Sequence, residues 1–439
     1  MKVFRIFAAF TALLLLFSAC EGAPAQTNVS ETAPAPQTAQ TSEKTEERSY
    51  PTISHPTTRA MVDALPIASA DMTEDELRKL CVDYMLLQVG VIWTPKFTSV
   101  YPYESAGSAD GNGNLTVVAG TRYSGVPYCK AAGSLDNFLD YYDEETGILD
   151  NSSFKNNFGD IIGNNCGTSV YWAWARVSST ITYYGTRMMV PAHGCYPLGP
   201  YTYDTTIDTY RECTTSEICQ KNGREVMFES YALCKPASGL THDVFKGTTD
   251  TFLGHARMVV EPAHVVRDAS GAINGEESYL VCAEQGSSQV RRDTEDGSAM
   301  QIGGYMTRFT FNNLFDTNYV PVEIAELTGR SPVQKAEVSL DLEGKAASLD
   351  DFAAANAVSN YAINRLEAVF TDANGAVVKT SSCNGSCKTG EQYTLAIKKL
   401  FSRASVSRAL KKGETYTVTI SARLGNGETL TAYEGEFVF

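Results

Sequence analysis

The chain has 439 residues, 43% of them hydrophobic and 10% aromatic, a composition that excludes wholesale disorder and leaves room for two or three domains. Asp and Glu (51) outnumber Lys and Arg (36), for a net charge of −15, and no basic cluster breaks that balance, which argues against a nucleic-acid partner. Only one apolar run is long enough to concern a membrane, and it lies at the extreme N-terminus, so a polytopic membrane protein is excluded.

Lys2 and Arg5 precede an apolar stretch over residues 6–17, followed by Ser18, Ala19 and Cys20. A charged start, a short apolar core and small residues describe a secretory signal over residues 1–19 rather than a spanning helix. Residues 16–20, Leu-Phe-Ser-Ala-Cys, resemble a bacterial lipobox, which implies acylation of Cys20 and an extracytoplasmic protein anchored to a membrane by lipid. Residues 20–61 are rich in Ala, Pro, Thr, Gln, Ser and Glu and lack large apolar side chains, so they read as a disordered tether.

A folded region follows over residues 62–330. Residues 73–89 predict a helix: Thr73 and Glu76 form a capping box, and Leu77, Leu80, Cys81, Tyr84 and Leu87 recur at helical spacing, with Cys81 on the buried stripe. Residues 105–115 read as a loop. Asp136, Asp140, Asp143, Glu144 and Glu145 sit in a Tyr-rich acidic segment that could bind a cation but is read as a solvated helix and turn. Polar residues 151–165 lead into a second helix beginning at Cys166, in which Val170, Ala173, Trp174 and Val177 share a face and Trp172 and Trp174 are expected in the core. Residues 185–250, with scattered Pro, Gly and Cys, read as a long decorated loop. Strands are expected over 255–261, 279–284, 305–311 and 319–324, with a turn at Asp268–Gly271.

Beyond Ser331-Pro332 the texture changes. Alternating segments at 337–342, 362–370, 393–397, 416–420 and 429–439, separated by turn residues, predict an all-β immunoglobulin-like sandwich over residues 331–439. Among the eleven cysteines, Cys383 and Cys387 flank Asn-Gly-Ser, a turn that could close a small disulfide loop, and Cys213 and Cys219 could pair in the same way. There is no Cys-x-x-Cys pair and no close His pair, so no metal and no cofactor is expected.

Three positions could carry chemistry. Cys166 opens a helix, whose N-terminal partial charge favours a thiolate. His255 opens a strand, where an imidazole could hold that thiolate and later protonate a leaving amine. Glu284 ends the next strand and could fix the imidazole tautomer. The backbone N–H of Cys166 is the natural first oxyanion donor, and Asn164, Asn165 or Tyr128 could supply a second. His193, in a loop-like stretch, and His264, close after His255, are lesser candidates.

These residues resemble papain-like cell-wall cysteine peptidases and amidases of the NlpC and CHAP types. Residues 165–170, Asn-Cys-Gly-Thr-Ser-Val, are similar to the NlpC opening of the catalytic helix, and residues 125–128, Gly-Val-Pro-Tyr, to the stretch that precedes it. Residues 254–261, Gly-His-Ala-Arg-Met-Val-Val-Glu, with Glu284-Gln285, are similar to the CHAP His strand and its later Glu. The resemblance implies an α+β papain-like fold with Cys166 as nucleophile, His255 as base and Glu284 as orienting group. It also implies cleavage of an amide bond in peptidoglycan or another peptide. The alternative is a non-catalytic surface binding protein that keeps this fold.

Overall fold

The structure is a computed structural model and describes residues 57–102, 114–129, 132–152, 163–183, 193–202, 214–242, 254–294, 296–342, 344, 346, 348–401, 406 and 408–439. The lipobox with Cys20, the tether up to residue 56 and Cys213 lie outside these residues; the last residues of the expected tether are folded, with Thr58 capping a helix that begins at Arg59. Among the described residues no helix is long and apolar enough to cross a membrane.

The first half of the folded body runs α1 (Arg59–Asp63), α2 (Glu74–Gly90), β1 (Ile92–Pro95), β2 (Ser99–Pro102), β3 (Asn114–Val117), β4 (Arg122–Ser124), α3 (Leu135–Leu139), β5 (Tyr142–Asp143), β6 (Ile148–Leu149), α4 (Cys166–Trp174) and β7 (Cys195–Pro197). Then come α5 (Thr215–Asn222), α6 (Arg224–Ala232), β8 (Gly239–His242), β9 (His255–Val259), β10 (Tyr279–Asp293), β11 (Ala299–Thr310), α7 (Phe311–Asp316) and β12 (Val320–Ile324). The last part comprises β13 (Val338–Leu340), α8 (Leu349–Ala354), β14 (Asn356–Ser359), β15 (Ile363–Thr371), β16 (Val377–Ser386), β17 (Tyr393–Ala396), β18 (Thr415–Leu424) and β19 (Thr429–Val438). The protein is thus α+β with large sheets.

A ten-stranded mixed sheet, in the order β5-β6-β1-β4-β11-β10-β9-β8-β12-β7, organises the first lobe. Helices α2 and α4 lie with one apolar cluster, which takes in Leu80, Tyr84, Val170, Trp174, Ala256, Met258 and Ala283. The alternate residues Leu240, Val259, Leu280 and Cys282 join a second cluster with Met227, Phe228 and Tyr231 of α6 and Phe311 and Leu314 of α7. The two-residue period of the strands therefore feeds a core on each face.

The expected helix at 73–89 forms with its capping box: the Glu76 N–H donates to the Thr73 hydroxyl, and the Thr73 N–H donates to Glu76. Helix α4 is buried on every side rather than along one face, as a helix sunk between a sheet and other elements must be. Trp172 and Trp174 are core residues whose indole N–H groups donate to the carbonyls of Ala132 and Ala237.

Three expectations need correction. Residues 185–250 are not one loop: the described part holds β7, α5, α6 and β8. The missed signal was the capping box of Thr214 and Glu217 together with Gly223, which separates two helices too short for a clear periodicity. Of the loop expected at 105–115, residues 105–113 lie outside the described residues, and Asn114 and Leu115 open β3 instead. Residues 383–387 do not form a closed turn. Cys383 lies within extended β16, its register partner is Leu366, and both it and Cys387 are free thiols. Four residues along a strand span roughly 13 Å, well beyond the reach of a disulfide.

Residues after 331 form two antiparallel sheets, β13-β14-β17 and β16-β15-β18-β19. One apolar cluster draws on both, with Ala357 and Tyr393 from the first and Phe370, Val418, Ile420 and Phe437 from the second. This lobe is joined tightly to the first. Ala362 and Cys387 belong to the first lobe's core, and the Asn137 amide donates to the Asn364 carbonyl over 2.8 Å. Arg365 pairs with Asp140 at 2.7 Å and Arg423 with Asp63 at 2.6 Å. The buried Arg176 guanidinium stands against Gly427 so closely that a Cβ there would lie 2.1 Å from Nη1; the φ of +92° at Gly427 also favours glycine.

Candidate active site

Cys166 is the first residue of α4, and Asn165 is its N-cap. The Asn165 side-chain oxygen accepts from the Thr168 N–H at 3.0 Å and from the Thr168 hydroxyl at 3.1 Å. The Thr168 hydroxyl also lies 2.7 Å from that of Tyr183. The cap fixes the direction from which the chain enters the helix, and with it the position of the sulfur.

Strand pairing brings the other two groups together. Cys282 and Ala283 of β10 face Val259 and Met258 of β9. Continued by one residue, that register sets Glu284 opposite Arg257, and His255 follows two residues along on the same face. The side chains comply: His255 Nε2 hydrogen-bonds Glu284 Oε2, and Arg257 Nε donates to the same oxygen at 2.7 Å. With Nε2 engaged, Nδ1 is the ring nitrogen that remains, and the His255 charge acts on the Cys166 thiol.

Glu284 is 1% exposed. Burial works to protonate it, but the charge of Arg257 and the bonds from His255 and Arg257 hold its carboxyl far down, at about 2. Burial likewise works against a charged His255, yet the neighbouring sulfur and Glu284 raise its pKa overall. Burial also works against a Cys166 thiolate. The His255 charge and hydrogen bond, the Ala256 backbone and the Tyr128 hydroxyl reverse the balance, so the thiol titrates below its ordinary range. Six other buried thiols behave oppositely: burial pushes Cys81, Cys195, Cys219, Cys234, Cys282 and Cys387 up. One sulfur is therefore set apart as a nucleophile.

The oxyanion candidates separate. Asn165 is occupied as the cap, and the Asn164 amide donates to Gln88 Oε1 at 3.1 Å within the core. Tyr128 remains at the sulfur, its hydroxyl 3.9 Å from Sγ. It is held there by a bridge between residues 128 and 164, which ties the Gly-Val-Pro-Tyr stretch to the residues just before the nucleophile. His193 does not join the site; its Nδ1 lies 2.7 Å from the Thr182 hydroxyl. His264 stacks on Tyr279 with centroids 4.5 Å apart. Asp136 is not solvated: it is buried, with bonds from Tyr84 and Arg59. Asp140 pairs with Arg59 and Arg365, Asp143 closes a turn with Glu145 and Thr146, and Glu144 accepts from the Arg59 backbone.

Sequence reasoning quoted Arg257 within a motif but gave it no place in the site. The available signal was its spacing: it stands two residues from a candidate base on a strand, and hence on the same face. Among the described residues no cluster of three metal-ligating side chains occurs. No protein-family model, curated protein or solved structure matches the chain.

Proposed function

We propose that the protein is a cysteine hydrolase acting on an amide bond, with Cys166 as nucleophile, His255 as acid and base, and Glu284 as the group that orients the imidazole. The observation that carries this reading is the convergence of the three side chains from α4, β9 and β10 around one thiol held below its ordinary pKa while six other buried thiols are pushed up.

The chemistry follows. The thiol proton rests on His255. The thiolate attacks the carbonyl carbon, and an S–C bond forms as the carbonyl electrons move onto oxygen. We assign the Cys166 N–H and the Tyr128 hydroxyl, which lies 3.9 Å from the sulfur, as the donors to that oxyanion. Collapse breaks the C–N bond, and the amine departs with the proton from His255. Water then attacks the thioester and gives its proton to His255, and the S–C bond breaks to release the acid and restore the thiol.

We further read the first lobe as papain-like and the second as an immunoglobulin-like sandwich of three and four strands. The N-terminal lipobox supports a lipid-anchored, extracytoplasmic location, where peptidoglycan peptides are the substrate that the family resemblance suggests. Incubating the full chain with peptidoglycan fragments, wild type beside Cys166→Ala, and reading the products by mass tests this reading. New amine and carboxyl ends from the wild type alone are expected; products indifferent to the substitution refute it. The 4% exposure of Cys166 favours a second reading, a binding surface built on the same fold. Under that reading Cys166 resists a thiol-reactive probe near neutral pH, whereas a hydrolase labels in a His255-dependent way.

A further inference from the structure

Glu284 presents a difficulty that the three-residue constellation does not resolve. It is 1% exposed, and a buried carboxylate is costly unless a counter-charge stays with it. His255 cannot be that charge throughout the reaction, because it gives up its proton when the amine departs. Arg257 can: a guanidinium stays protonated through every step.

Its surroundings hold it in that role. The guanidinium carbon lies 3.7 Å from the Phe309 ring centroid and 4.3 Å from that of Tyr319, so the planar group is clasped between two rings. Nε reaches Glu284 Oε2 at 2.7 Å, the oxygen that also binds His255. The titratable groups facing this arrangement are His255 on β9, His242 on β8, which stands opposite His255 in register with its ring 5.4 Å from that of Tyr319, Cys166 on α4, Cys282 on β10, Tyr319 before β12, and Tyr128 beside the sulfur. Burial pushes Cys282 and Tyr319 up, so neither takes a charge near neutral pH.

We propose that Arg257 is a positioning residue of this site: clasped by Phe309 and Tyr319, it keeps the Glu284 carboxylate charged and aimed at His255, and so keeps the imidazole turned toward Cys166. The proposal rests on the cysteine-hydrolase reading and adds a fourth residue that never touches substrate. The substitution Arg257→Met leaves Glu284 without its permanent partner, so Glu284 takes up a proton at higher pH. The imidazolium then loses its counter-ion, and the thiol ionises at higher pH.

The test is the rate of Cys166 alkylation by iodoacetamide in the full chain, followed from about pH 4 to pH 9 by mass analysis of the Cys166 peptide, with circular dichroism to confirm folding. For Arg257→Met the limb is expected to move up by roughly one pH unit, about a tenfold loss of rate below the limb. Arg257→Lys, which keeps the charge but not the planar fork, recovers part of that loss. In a Glu284→Gln background Arg257→Met adds nothing, because the two act as one unit. An unchanged limb overturns the proposal. A limb moved to lower pH also overturns it, since Arg257 would then act only as a cation repelling the imidazolium. So does an equal loss with Glu284→Gln already present. If Arg257→Met does not fold, the same cycle is run with Arg257→Lys, and additivity with Glu284→Gln overturns the proposal. Should wild-type Cys166 itself titrate as an ordinary thiol, the hydrolase reading fails; a primed wild type with an indifferent Arg257 variant refutes this inference alone.

Discussion

Replacing Asn165 by alanine separates two roles that a residue beside the nucleophile could play. In the structure its side-chain oxygen accepts two bonds, from the Thr168 N–H at 3.0 Å and the Thr168 hydroxyl at 3.1 Å. The hydroxyl keeps a partner in Tyr183, 2.7 Å away, after the substitution. The N–H does not, and Thr168 is fully buried. One orphaned buried donor costs about 1–3 kcal/mol, and loss of an N-cap costs about 0.5–2 kcal/mol, so a loss of about 2 kcal/mol is expected. Chemical denaturation should register it as a lower midpoint at unchanged slope. Hydrolysis should fall modestly, by about fivefold, the factor that corresponds to roughly 1 kcal/mol of misplacement at the helix start. An oxyanion donor behaves differently: its removal costs about 100-fold to 1,000-fold in kcat with little effect on stability. If Asn165→Ala leaves the denaturation midpoint in place and abolishes turnover, the assignment of Asn165 as cap and Tyr128 as donor is wrong.

Tyr128→Phe should give the reverse pattern, a fall in kcat of about 100-fold with stability almost unchanged; a variant as active as wild type removes the hydroxyl from the mechanism. The pH dependence has two signs. Glu284 is depressed to about 2, so its stabilising contribution is present above its ordinary range and lost as pH falls through about 2. His255 is raised to about 9, so its contribution is complete below its ordinary value and lost as pH rises through about 9, where turnover should also fail for want of an acid. Both are read from denaturation curves and kcat across pH, and an alkaline limb near 6.5 contradicts the assignment. A chain ending near Ser331 should lose cooperative folding of the first lobe, not merely a partner. It would strip Tyr171 and Tyr183 of Lys388 and leave Arg176 facing water, and limited proteolysis should digest it. A resistant, Cys166-reactive fragment would show the lobes to be independent.

Lys388 explains why that last expectation runs against the view of the second lobe as a free module. It is 2% exposed, its N–H donates to the Tyr171 hydroxyl at 2.8 Å, and its ammonium donates to the carbonyls of Ser179 and Asn360. Its carbonyl accepts from the Tyr183 N–H at 2.6 Å, and Tyr183 in turn touches Thr168 of the helix that Cys166 begins. A lone lysine near a turn carries no mark of such a role, because three of its partners, Tyr171, Ser179 and Tyr183, lie more than two hundred positions away in the chain.

The sequence by itself determined what depends on near neighbours. Thr73 with Glu76 starts a helix, and Asn165 ahead of Cys166 starts another. Alternation marks most of the strands of the second lobe, and the strand that His255 begins. Each of these is settled by contacts within a turn of helix or across a pleat, which the local order of residues specifies. Tertiary structure alone decided which side chains share an environment. It tied Asn164 to Gln88, left Tyr128 at the sulfur, turned Cys383 into an extended strand away from a disulfide, and set Arg257 beside Glu284. Those outcomes depend on sheet register and on which buried charge finds a counter-charge, quantities that belong to the packed molecule and not to any short stretch of the chain.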